Sequence, residues 1–108
     1  YPEPFVDFGY GLGDCDVINY WDENPPLEVS DPDCKWLLLK RDGKLLVYLV
    51  TWNGDKADVT ATLDLKRLGV NPSKVVNAEN GETVTELKDG AFTVTMDSFG
   101  VQTLILEP

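Results

Sequence analysis

Side chains able to do chemistry gather in the first third of this sequence. Asp14, Asp16, Asp22 and Glu23 supply the paired carboxylates that glycoside hydrolysis uses, one to protonate the leaving oxygen and one to attack or to activate water. In a segment rich in Gly and Pro, the same acids read equally well as solvated loop residues. Asp14, Asp16 and Asn19 offer oxygen ligands suited to a calcium ion. The EF-hand spacing fails, however, with Ile18 where a ligand belongs and Asn19 where the invariant glycine belongs, so no metal site is expected. Histidine is absent, which removes Ser-His-Asp and Cys-His catalysis and the commonest general base near neutral pH. The run GYGLG at 9–13 lacks both GxGxxG spacing and a Lys-Ser/Thr pair, so it reads as a flexible connection and implies no nucleotide or other cofactor.

The stretch NYWDENPPLEVSDPDCKW, residues 19–36, raises a binding question. Tyr10, Tyr20 and Trp21, beside Asp22, Glu23 and Asn24, have the chemistry of a carbohydrate site. Aromatic rings stack on the CH faces of a pyranose while acids and amides bond its hydroxyls. The competing reading makes the stretch a strap: Pro25, Pro26 and Pro32 favour extended backbone, Leu27 and Val29 suit a short edge strand, and Trp21 anchors an edge or an interdomain seam. Cys15 and Cys34 bracket the stretch. Paired, they would close a loop of about 20 residues, worth about 3 kcal/mol, and would suit an extracellular or periplasmic setting. Unpaired, they are two thiols in a reducing compartment. With no CxxC spacing and no histidine, zinc is not expected.

These candidates must be positioned by β-structure. From Lys35 onward, β-rich runs alternate with turn signals: Asp42-Gly43 joins 35–41 to 44–52, Asn53-Gly54 leads into 57–64, and Asn80-Gly81 joins 74–79 to 82–87. Asp89-Gly90 opens a further hairpin, from 91–96 through DSFG to 101–107. The segment LDLKRLGVNP predicts a helical turn ended by Gly69 and Pro72. The expected fold is all-β: an antiparallel two-sheet sandwich of seven to eight strands, with residues 1–34 as an acidic strap of the same domain and 35–108 as the sandwich. One run stands apart. Leu45, Val47 and Leu49 point one way, and Leu46, Tyr48, Val50 and Trp52 the other, so this strand needs cover on both faces.

Charge bounds the partners. The net charge is −10, of which −9 lies in residues 1–34, where no Lys or Arg occurs. No basic stripe is available to displace counterions from phosphates, so nucleic acid is not expected, and an anionic membrane would repel the strap. The longest apolar run, 45–52, is too short to span a bilayer. With Tyr1 first and Met96 the only methionine, the chain is expected to be a processed product or a piece of a longer one.

The run DVINYWDENPPLEVSDPDCKWLLLKRDGKLLVYLVTWN, then ATLDLKRLGV, the ENGETV turn and the ending TVTMDSFGVQTLILEP, resembles the C-terminal β-sandwich that follows a (β/α)₈ barrel in bacterial glycoside-hydrolase-like proteins. The resemblance covers about residues 17–108. It implies a noncatalytic accessory domain of an exported carbohydrate-active enzyme, packed against a preceding catalytic domain that carries the acid and base. Two alternatives stay open: an autonomous carbohydrate-binding module using Tyr20 and Trp21, and an immunoglobulin-like protein-interaction module.

Overall fold

The computed structural model describes residues 16–21 and 23–108. Among these, nine strands form two antiparallel sheets. Strands β1 (Asp16–Asn19), β3 (Cys34–Arg41), β4 (Lys44–Thr51), β9 (Val101–Glu107), β6 (Lys74–Asn77) and β7 (Thr83–Glu86) make the larger sheet in that spatial order. Strands β2 (Leu27–Val29), β5 (Ala57–Leu63) and β8 (Ala91–Met96) make the smaller one.

Alternation of apolar and polar residues builds the core between the sheets. Trp36 and Leu38 on β3, Leu45, Val47 and Leu49 on β4, and Leu104 and Leu106 on β9 face Val59, Ala61, Phe92, Val94 and Met96 of the smaller sheet. Each fully buried Leu or Val contributes roughly 1.5–3 kcal/mol of transfer free energy. The outer face of β5 is wet, with Thr60 hydrogen bonded to Thr93 at 2.8 Å and Asp58 accepting from Thr95 at 2.7 Å.

The turn chemistry follows the sequence. Asp42 and Gly43 both take positive φ, 53° and 75°, as a two-residue hairpin of type I′ requires. Helix α1 (Leu65–Leu68) is a single turn: Asp64 accepts from the Arg67 N–H at its start, and Gly69 ends it in the left-handed conformation. Asp89 and Gly90 also take positive φ, but here glycine is needed twice over, since a Cβ on Gly90 would lie 2.8 Å from the Leu63 carbonyl oxygen.

Two expectations change. β8 and β9 do not form a hairpin; they lie in opposite sheets, and the DSFG turn carries the chain across the sandwich. A short turn is a local signal, and it does not say which sheet the next strand joins. The strand number rises to nine because the strap supplies one strand to each sheet. β1 pairs with β3, while β2 pairs with β5 and sends Leu27 inward and Glu28 outward, as its alternation predicts. Further stitches hold the strap: the Asp64 N–H donates to the Pro26 carbonyl at 2.7 Å, and Arg67 Nη1 donates to the Asn24 carbonyl at 3.0 Å.

Candidate functional site

The two-faced strand β4 defines the site. Its inward row, Leu45, Val47 and Leu49, is wholly buried. Its outward row lies in the middle of the larger sheet, and the strand register sorts that face into bands. At one end Arg41, Lys44, Glu107 and Lys74 lie side by side, with Glu107 3.5 Å from Lys44 Nζ and 3.6 Å from Lys74 Nζ. Next comes an apolar band in which Leu39 and Leu46 are 0% exposed, packed with Leu37, Tyr48 and Ile105. Then the face opens: Leu37, Tyr48 and Val50 are half-buried and Val101 is exposed. Beyond the last register pair, Val50 with Val101, the chain continues to Trp52 on one side and comes from the turn holding Phe99 on the other, and these two rings are 65% and 66% exposed.

Between this open end and the turn after β1 lies a groove of about 520 Å³, lined by Tyr20, Trp21, Leu37, Tyr48, Val50 and Trp52, with Asn19 and Lys35 among its polar contributors. Tyr20 and Trp21 meet edge to face, with ring centroids 4.9 Å apart and planes at 86°. Lys35 Nζ sits 5.3 Å from the Tyr20 ring centroid and donates to the Pro32 carbonyl at 3.1 Å, so a cation–π contact and a hydrogen bond both hold it. No carboxylate lines the groove among the described residues.

Of the residues the sequence offered for sugar binding, the structure brings Tyr20 and Trp21 together. Asn24 is elsewhere: φ of 50° turns it into a separate notch with Pro25, Pro26 and Arg67. Tyr10 and Asp22 lie outside the described residues, as do Asp14 and Cys15. Trp21 is 68% exposed, so it does not anchor the strap within this module; Leu27, 1% exposed, does. Cys34 is buried, and burial above all pushes its thiol pKa up, helped by Asp31 and opposed by Lys35. Among the described residues no group of three or more Asp, Glu, His or Cys is placed to hold a metal, and no helix is long and apolar enough to cross a membrane.

Sequence reading missed Phe99. The signal was present: a bulky aromatic at the third position of the Asp97–Gly100 turn, where left-handed backbone favours Gly or Asn.

The molecule is thus a two-sheet sandwich whose larger sheet leaves an apolar, partly exposed outer end. The chain belongs to the glycoside hydrolase 123 C-terminal domain family, whose model matches residues 6–103. No curated protein sequence matches it. Similar solved structures include a GH27 β-L-arabinopyranosidase from Geobacillus stearothermophilus, at 18% identity and TM-score 0.58, covering 72% of this chain and 18% of that one. The α-galactosidase I of Mortierella vinacea has 15% identity and TM-score 0.57, with 76% and 23% covered. A GH30 endoxylanase from Clostridium papyrosolvens C71 has 11% identity and TM-score 0.55, with 78% and 24% covered. The likeness is one of fold, and the chain spans less than a quarter of the length of each of these enzymes. The resemblance to the C-terminal sandwich of glycoside hydrolases therefore holds.

Proposed function

We propose that this chain is a noncatalytic accessory domain that packs against the catalytic domain of its parent glycoside hydrolase and stabilises it. One observation carries the reading: the larger sheet grades from a charged end through a buried apolar band to an uncovered aromatic end. Trp21, Trp52, Phe99 and Val101 are exposed, which suits a domain with a permanent neighbour. Its position in the family supports the same reading, since the matching model is that of a C-terminal domain.

The test compares the parent enzyme with and without this domain. Deletion is expected to lower the melting temperature of the catalytic domain, and the module alone is expected to hydrolyse no aryl-glycoside. Turnover by the module that disappears in an Asp22→Ala or Glu23→Ala variant would overturn the noncatalytic reading.

A further inference from the structure

We infer that strand β1 and a Cys15–Cys34 disulfide exclude one another, so that the redox state of the two cysteines decides whether the groove wall from Val17 to Trp21 stands.

Register supplies the geometry. Asp16 is opposite Lys40 and Asn19 is opposite Leu37, so β1 begins at the end of β3 farther from Cys34. Lys40 lies six residues along β3 from Cys34, a span of about 20 Å at the rise of a strand. Cys15 lies outside the described residues, yet it is covalently bonded to Asp16. Because consecutive Cα atoms are about 3.8 Å apart, no direction of the chain brings Cys15 closer than about 15 Å to Cys34 while Asp16 is paired. A disulfide needs Cα atoms about 4.4–6.8 Å apart. With Asp16 released and Val17 still opposite Leu39, the separation stays at about 10 Å or more, so the bond requires β1 to leave the edge of β3 through Val17 at least.

The setting of the second sulfur points the same way. Cys34 alternates with Trp36 and Leu38 toward the inner face, belongs to the core cluster and is 3% exposed. Thr51, its register partner, is buried as well. Ile18 of β1 packs against the same cluster, so withdrawing β1 also opens the edge of the core. Burial pushes the Cys34 thiol pKa up and leaves little thiolate near neutral pH, which slows exchange with an external disulfide.

The consequence falls on the groove. Val17 and Asn19 of β1, and Tyr20 and Trp21 just after it, form one of its walls. With both cysteines reduced, pairing with β3 holds that wall in place; with the disulfide formed, the register that positions it is lost. Pairing is thus an alternative state of the strap and not a staple of the fold described above. With oxidised glutathione as the oxidant, the thiolate of one cysteine attacks the glutathione disulfide and releases one glutathione thiolate, which takes up a proton. The second cysteine thiolate then attacks the mixed disulfide, forms the Cys15–Cys34 bond and releases the second glutathione. Two cysteine thiols are oxidised and one glutathione disulfide is reduced to two thiols.

The experiment equilibrates this chain with reduced and oxidised glutathione, once folded and once in concentrated urea. Peptide mapping after acid quench counts the disulfide, and hydrogen exchange reads the protection of residues 16–19. The folded chain is expected to form the bond less readily than the unfolded chain by about tenfold or more, because it gives up the four cross-strand pairs of β1. Folded molecules that carry the bond are expected to lose protection over 16–19 and to keep it over 44–51. For comparison, Thr51→Cys combined with Cys15→Ser puts a thiol directly opposite Cys34, and this variant is expected to oxidise more readily folded than unfolded. If it does not, the burial of Cys34 and not the pairing of β1 blocks the bond, and the inference falls. It falls equally if the native pair forms at least as readily folded as unfolded, or if the bonded chain keeps β1 protected.

Discussion

Cys34 shows at residue scale how an environment turns a side chain into a pH-dependent contribution. It sits where β3 begins, paired in register with buried Thr51, and burial disfavours its thiolate. The folded-state pKa is raised above the unfolded value, so the neutral thiol's contribution is fully present below the ordinary thiol pKa of about 8.5 and is lost as pH rises through the folded value. In reduced protein, the stability difference between the native chain and Cys34→Ala is therefore expected to hold steady to about pH 8 and to shrink above it, read by urea unfolding at several pH values. A difference constant to pH 10 would show that the site does not discriminate against the thiolate. Pairing with Cys15 is the alternative fate we propose for this sulfur; peptide mapping without reductant detects it, and an oxidised pair removes the pH term.

At the scale of elements, the strap separates what is anchored from what is displayed. Leu27 is 1% exposed under β5, and its removal should cost about 2–5 kcal/mol. Trp21→Ala should change the melting temperature of the module by little, since surface substitutions usually stay within about 0.5 kcal/mol. Thermal melts of both variants check the contrast, and a large loss from Trp21→Ala would mean that the ring is buried by this domain after all. The alternation of Leu27, Glu28 and Val29, the two-sided β4 and the Asp42-Gly43 turn were all legible in the sequence, because each is a local pattern with a period of two or a fixed turn conformation. The partners of β8 and β9 were not, because strand pairing within each sheet depends on contacts distant in sequence, as with Val94 beside Val59 and Leu104 beside Val47. Part of the candidate site was legible for the same reason: Tyr20 and Trp21 are adjacent in the chain, whereas Leu37, Tyr48 and Trp52 join them in one groove only through the pairing of β1 and β4 with β3.

For the whole molecule, the balance lies between net charge and one uncovered end. The Cα radius of gyration is 12.8 Å, about that of a compact domain of this length. A net charge of −10 on so small a body makes two copies repel at low ionic strength, where the screening length is about 30 Å at 0.01 M salt. At 1 M salt that length falls to about 3 Å, and the exposed Trp21, Trp52, Phe99 and Val101 are then free to meet a second copy. The module alone is accordingly expected to sediment as a monomer in dilute buffer and to self-associate as salt is added. Trp52→Glu should suppress the self-association by placing a charge at the centre of the patch, whereas Val84→Glu, on β7 at the far edge of the sheet, should leave it unchanged. Sedimentation velocity across a salt series measures all three proteins. A native module that stays monomeric at 1 M salt, or one whose association survives Trp52→Glu, would show that the aromatic end is not adhesive and would remove the main reason for placing a neighbour there.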